Sequence, residues 1–298
     1  PPFVRHIRAV ERHTQEILNM IKRKMTVRNV VAIYAMALVP VLSACDMSTG
    51  GKPLMGGDIG RGETEDTVVV LEKEPLPDMA DIALPAFRPA SGEQILRRTA
   101  YTVSYNKDTR LPNWVAWNLT ADHTDGPFKR AGLKFREDVD VPEPRATDRD
   151  YYNSGYDRGH MCPSADCKWC EAAQSESFLF TNACPQVQGL NSGDWNEMEI
   201  MCRRWAEKYG SLYIVCGPIL YDGKHKRIGK SKVAVPDAFF KVVLRLGDNP
   251  SAIGFIYKNM SGNRPKGDYV NTVDEVERIT GYDFFPALPD DIETVVEA

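Results

Sequence analysis

Beyond residue 45 the chain holds three histidines, His123, His160 and His225. His123 sits in the polar turn Asp-His-Thr-Asp-Gly and His225 in the basic loop Gly-Lys-His-Lys-Arg, so both read as solvated loop residues. His160 differs. It ends Ser154-Gly-Tyr-Asp-Arg-Gly-His160, where Gly155 and Gly159 free the backbone and Arg158 sets a cation beside the imidazole. An imidazole titrates near pH 6.5 (about its unperturbed value), so one held neutral is suited to general-base work close to neutrality. Downstream come Asn182 in Thr181-Asn-Ala-Cys-Pro-Gln186, then Asn191 and Glu199 in Asn191-Ser-Gly-Asp-Trp-Asn-Glu-Met-Glu199, with Arg203 one turn later. A separation of about two helical turns puts Glu199 on the face of Asn191. Asn191 offers a hard, neutral amide oxygen suited to Mg²⁺. Arg158 and Arg203 offer planar forks that match anionic oxygens. A plainer reading stands beside these: Asn191 and Ser192 as a helix cap, and Glu199 with Arg203 as an i,i+4 surface pair.

Asp157-Arg-Gly-His160, Asn182-x-x-Pro-Gln186 and Asn191-x-Gly-x-Trp-x-x-Met-Glu199, in that order, resemble the motifs of the DNA/RNA non-specific endonucleases. This is the ββα-metal group that includes mitochondrial endonuclease G and secreted bacterial sugar-non-specific nucleases. The resemblance covers roughly residues 95–290 and extends to Arg203 and to the closing Gly281-Tyr-Asp-Phe-Phe-Pro. It implies an α+β fold, with a mixed or antiparallel sheet core and a ββα-metal finger. It implies hydrolysis of DNA and RNA to 5′-phosphate oligonucleotides with Mg²⁺, for which Mn²⁺ can substitute. It casts His160 as general base, Asn191 as metal ligand and Glu199 as the holder of metal-bound water. Arg158 and Arg203 would neutralise phosphate charge and Asn182 would orient groups in the site; relatives form homodimers, but no motif here reports one. The rival class is a surface lipoprotein that binds nucleic acid without cutting, although a binding module has no need of a general base.

The densest basic run, Lys224, Lys226, Arg227, Lys230 and Lys232, stands in an otherwise acidic body. Seven basic residues face two acidic ones in 1–45; that +5 leaves −9 for the rest of a chain whose net formal charge is −4. Such a body argues against broad, charge-driven binding of nucleic acid. Lys226 and Arg227 are candidates for tracking a phosphate backbone, or else belong to a solvated hairpin. Besides Cys45 there are six cysteines: Cys162, Cys167, Cys170, Cys184, Cys202 and Cys216. In an exported chain an even number predicts up to three disulfides. A structural zinc at Cys162, Cys167, Cys170 and Cys184 is the alternative. Cys167-x-x-Cys170 lacks the βαβ context of a redox motif.

The elements that must position these residues are legible as patterns. Tyr101–Tyr105, Trp114–Leu119, Leu212–Cys216, Phe239–Leu246 and Ala252–Tyr257 read as strands bounded by Gly, Pro and Asp. Trp114 and Trp117 are taken as buried on one strand face. Residues 191–209 space Trp195, Met198, Cys202 and Trp205 at helical intervals, and a shorter helix is predicted over 272–279 with Gly281 after it. Strands do not alternate strictly with helices, which favours α+β over a doubly wound sheet.

Ahead of this domain, Lys22-Arg-Lys24 and Arg28 precede the apolar run 30–44, and Leu42-Ser-Ala-Cys45 resembles a bacterial lipobox. The run is short of the roughly 20 residues that span a bilayer. The expected organisation is upstream read-through over 1–19, a lipoprotein signal peptide over 20–44 and a flexible tether over 45–94. The catalytic domain follows over 95–290, with a C-terminal tail over 291–298. Lipidation at Cys45 would place the protein outside the cytoplasm, anchored to the membrane of a bacterial cell envelope.

Overall fold

The computed structural model describes residues 82–86, 93–221, 223–262 and 264–297. The signal peptide, Cys45 and most of the tether lie outside them. No helix among the described residues is long and apolar enough to cross a membrane.

Seven strands form one antiparallel sheet in the order β1-β2-β3-β6-β9-β10-β11. They are β1 (Glu93–Arg97), β2 (Thr102–Asn106), β3 (Leu111–Thr120), β6 (Ser211–Ile219), β9 (Ala238–Arg245), β10 (Ser251–Lys258) and β11 (Val270–Asn271). The central strands are covered on both faces, so they read as near-continuous apolar runs rather than as alternations. In β9 (Ala-Phe-Phe-Lys-Val-Val-Leu-Arg) every residue but the last is buried. Its registers with β6 (Val242 opposite Val215) and β10 (Val243 opposite Ile253) set β-branched residues side by side.

One face packs on Trp117, Phe239 and Val243, the other on Trp114, Phe240, Val242 and Leu244. The two tryptophans of β3 therefore point to opposite faces, against the expectation of one. Residues three apart on a pleated strand differ in parity.

The first face carries the motif residues. Two strands, β4 (Asp157–His160) and β5 (Ala183–Gln186), pair antiparallel. A helix, α3 (Trp195–Tyr209), packs beside them through Trp195, Met198, Cys202 and Ala206. Of two short helices, α1 (Asp148–Tyr151) precedes β4 in sequence and α2 (Glu171–Glu176) lies between β4 and β5. A small ribbon of β7 (Arg227–Ile228) and β8 (Val233–Ala234) holds part of the basic run.

The second face is covered by α4 (Val273–Thr280) and α5 (Asp290–Glu297). Thr272 caps α4 by accepting from the Glu275 amide at 3.2 Å, and Gly281 ends it at φ 74°, a left-handed position suited to glycine.

Both predicted domain edges need moving outward. Ile82 and Ala83 are buried, and the Ala86 amide donates to the Asp283 carbonyl at 2.8 Å, so part of the expected tether belongs to the body. The expected tail is α5, whose Ile292 and Val296, one turn apart, are buried on the same face of the sheet.

The cysteines also depart from expectation. All six are free; five are buried, and Cys162 and Cys167, whose sulfurs are 3.8 Å apart, form the contact pair. They pack as small apolar side chains. Among the described residues no cysteine belongs to a group of three ligating side chains, so the zinc alternative finds no site there.

Candidate active site

The β4–β5 ladder aligns His160 with Ala183, Gly159 with Cys184 and Arg158 with Pro185. Gly159 is dictated by close approach, because a Cβ there would fall 2.1 Å from the Gln186 side-chain oxygen. The two-residue strand period puts Arg158 and His160 on one face.

The His160 ring lies between Phe135 (centroids 4.7 Å) and Phe178 (5.1 Å, edge-on). Its Nε2 is buried and has no hydrogen-bond partner among the described residues. Burial, and then the positive charge of Arg130, push its pKa down to about 3. The imidazole is neutral at physiological pH, as proton abstraction requires. Its main-chain carbonyl accepts from Trp195 Nε1 at 3.2 Å, tying β4 to α3.

Asn182 is buried and its amide is filled: Oδ1 accepts from the Cys162 amide (2.9 Å), and Nδ2 donates to the Cys162 and Ser177 carbonyls (2.8 and 2.9 Å). Buried, with both amide hydrogens donated, it shapes the turn that follows His160. The resemblance casts it as orienting groups in the site, and what its bonds orient here is the main chain after His160.

Asn191 lies in a single π-turn, Leu190–Asp194, that leads into α3. It caps nothing, which removes the capping alternative. Its Nδ2 donates to the Asp157 carboxylate at 3.0 Å, which fixes the rotamer and leaves Oδ1 as the end available to a cation. Asp157 thus acquires a role that its place in the motif did not reveal.

Glu199, half-buried, lies near the buried Asp166 and Lys241 and the half-buried Arg203. Burial raises its pKa to about 7; Lys241 and then Arg203 pull it down, and Asp166 pushes it up. Arg203 does not pair with Glu199 along the helix. Its Nη1 meets Asp166 at 2.9 Å, and Asp166 also accepts from Trp117 Nε1 at 3.3 Å. Arg203 is therefore engaged beneath the site.

Arg158 is anchored by Asp148 of α1, through its carboxylate (2.7 Å) and carbonyl (3.1 Å), and lies over the Tyr151 ring. Lys226 sits 4.7 Å over the Tyr156 ring, two residues before Arg158 in the chain. Arg227 donates to the Asp108 and Lys232 carbonyls (2.9 and 2.8 Å), which fastens its loop and takes it out of substrate contact at those donors. The residue missed by sequence reasoning is Arg130, whose charge acts on His160 and whose guanidinium lies 5.6 Å over Phe178. It stands thirty positions from His160 in an aperiodic loop, and Lys129-Arg130 carried no spacing signal.

Comparison with known proteins agrees with this geometry. The sequence model for the DNA/RNA non-specific endonuclease family matches residues 79–291. The mitochondrial nuclease EXOG of Danio rerio is 37% identical over 216 residues, which are 67% of this chain and 63% of that protein. Nuclease C1 of Cunninghamella echinulata var. echinulata is 35% identical over 223 residues, 70% of this chain and 88% of that one. A chain from the crystal structure of the EndoG/EndoGI complex superposes with a TM-score of 0.67 at 27% identity, covering 74% of this chain and 94% of its own. The chain thus spans a little under two thirds of the zebrafish relative, and most of the fungal one. With the motif residues gathered on a β4–β5–α3 layer against an antiparallel sheet, it belongs to the DNA/RNA non-specific endonuclease family.

Proposed function

We propose that this protein is an Mg²⁺-dependent endonuclease that hydrolyses phosphodiester bonds of both DNA and RNA, leaving 5′-phosphate ends. The observation that carries the reading is a neutral imidazole with an unengaged Nε2, fixed through Trp195 to the helix that follows Asn191. His160 takes a proton from the attacking water; the new phosphorus–oxygen bond forms as the bond to the 3′-oxygen breaks, and that oxygen gains its proton from solvent. Bound phosphate raises the basicity of His160, opposing Arg130, because an anion favours the protonated ring. Arg130 and Arg158 stabilise charge on the phosphate. Asn191 Oδ1, set by Asp157, is a hard oxygen donor of the kind Mg²⁺ takes, with Glu199 behind it for bound water; Mn²⁺ suits the same donors. When bound, the cation would neutralise a phosphate oxygen and ease departure of the leaving oxygen.

The test is gel-monitored degradation of plasmid DNA and of RNA, with Mg²⁺ or with EDTA, beside His160→Ala. Loss of both polymers with metal, reduced by about 10²–10⁴-fold in the variant, is the expected outcome. A folded protein that binds DNA but cuts neither polymer with Mg²⁺ or Mn²⁺ would give way to the non-catalytic binding reading.

The setting we infer is a bacterial envelope, with the domain tethered through lipidated Cys45; the lipobox-like Leu42-Ser-Ala-Cys45 supports this. Labelled fatty acid supplied to expressing cells should enter the wild-type chain and not Cys45→Ala. Homodimerisation, carried from the family, is tested by light scattering of the same preparation.

A further inference from the structure

Lys241 sits where the alternation of β9 calls for an apolar side chain. Phe239 and Val243, two residues to either side, face the site-bearing layer and are buried, and Lys241 is wholly buried with them. Its Nζ has no hydrogen-bond partner among the described residues. It lies instead 4.4 Å from the Trp195 ring centroid and 5.1 Å from that of Trp117. Both indoles are polar ties of the site: Trp195 Nε1 reaches the His160 carbonyl and Trp117 Nε1 reaches Asp166. The titratable groups that act on the ammonium are Cys216 of β6, Cys202 and Glu199 of α3, and Asp166 of the turn after β4, none of them hydrogen-bonded to it. Glu199 is faced in turn by Lys241, Asp166, Arg203 and Trp195. Of the two cations that act on Glu199, Lys241 is the stronger, and Arg203 is bonded directly to Asp166. A desolvated ammonium is retained only where carboxylates and aromatic faces compensate it, and both are present here.

We propose that Lys241 is a positioning residue of the site, clamping the Trp195 indole from beneath and serving as the counter-cation of Glu199. The inference rests on the nuclease reading for what the groups above it do. It makes one buried side chain responsible for two properties: the seat of the His160 carbonyl and the charge of Glu199. Without it, Glu199 loses the stronger of its two cations while still facing Asp166, and takes up a proton at higher pH. A protonated carboxyl loses its acceptor-only character toward bound water.

The experiment uses the full chain as wild type, Lys241→Met, Lys241→Arg, Glu199→Gln and the double variant Lys241→Met/Glu199→Gln. Plasmid cleavage is followed against pH and substrate concentration, with thermal unfolding alongside. Folded Lys241→Met is expected to lose kcat by about tenfold near neutrality, the change that a unit displacement of the acidic limb toward higher pH produces. KM for plasmid should stay near wild type, Lys241→Arg should recover part of the rate, and Lys241→Met should add little to Glu199→Gln. A folded Lys241→Met with wild-type kcat and pH profile overturns the proposal, as does a loss that multiplies in full with that of Glu199→Gln. If Lys241→Met fails to fold, the double variant decides: recovered folding supports the pairing, and continued failure overturns it. If wild type cuts neither polymer, the nuclease reading falls separately. The pairing is then read from unfolding midpoints at pH 8, where non-additivity of the two substitutions supports it and additivity overturns it.

Discussion

At the scale of single residues, the site works by setting charge states through burial. His160 is pushed to about 3 and Glu199 to about 7 by the same cause, because desolvation disfavours whichever form is charged. The consequences for stability run in opposite directions. A histidine with a depressed folded pKa contributes stability that is present above its unfolded value of about 6.5 and is lost as pH falls toward 3. A glutamate with a raised folded pKa contributes stability that is present below its unfolded value and is lost as pH rises toward 7. Glu199→Gln should therefore raise the thermal midpoint at pH 8, leave it little changed at pH 4 and still abolish most cleavage. A midpoint at pH 8 that stays at the wild-type value would show that burial of this carboxylate costs the fold nothing.

At the scale of elements, the strand that carries His160 is held by braces behind it. Asp138 is the clearest. Its buried carboxylate accepts from Arg98 Nη2 on both oxygens (2.8 and 2.6 Å) and from the Thr181 hydroxyl (2.6 Å). It thereby joins the turn after β1, the segment carrying Phe135 and the turn before β5. The neighbouring Arg136 amide donates to the Phe178 carbonyl, and the Phe180 amide to that of Arg136, both at 3.0 Å, which seats Phe135 and Phe178 against His160. Removing one partner of a buried pair leaves the other charge uncompensated, so Asp138→Ala should cost about 3 kcal/mol in denaturant unfolding. Cleavage should fall beyond the loss of folded protein, because both rings that desolvate His160 hang on this brace. An unfolding free energy within error of wild type would remove Asp138 from this role. The braces were hard to read in sequence. Asp138, Asp148 and Asp157 lie among many exposed acids, and only their partners, 43, 10 and 34 residues away, distinguish them.

At the scale of the whole molecule, charge is unevenly placed on an acidic body. The acids near the C-terminus crowd one another: burial first, then Glu277, Glu293, Asp274 and Asp283, push Glu297 up to about 7. Glu297→Gln should raise the unfolding midpoint above pH 7 and leave it unchanged near pH 4, since the native carboxylate loses stability as pH rises to its folded value. Equal midpoints at pH 8 would contradict the crowding. On the proposed nuclease reading, the acidic remainder of the chain would confine attraction of nucleic acid to local cations such as Arg130, Arg158 and Lys226. Lys226→Ala should weaken DNA binding uniformly across sequences and lower the slope of log affinity against log salt by about one. An unchanged slope would place Lys226 outside the nucleic-acid path.

The sequence by itself determined the family, the α+β class, five strands of the large sheet and two of its helices. These follow from ordered motifs and from hydrophobic periodicity, which are local properties of a chain. It also named His160, Asn191 and Glu199 as site candidates, because they stand in the ordered motifs. The tertiary structure decided the rest. Asn182 and Arg203 become braces, because their hydrogen bonds are filled by groups that sequence does not place beside them. Arg130 and Lys241 enter the site region from a distant loop and from the core of β9. The cysteines pack as thiols, Trp114 and Trp117 part to opposite faces, and both ends of the predicted domain extend outward. In each case the deciding quantity is which groups are desolvated together, and desolvation belongs to the folded arrangement rather than to any segment of the chain.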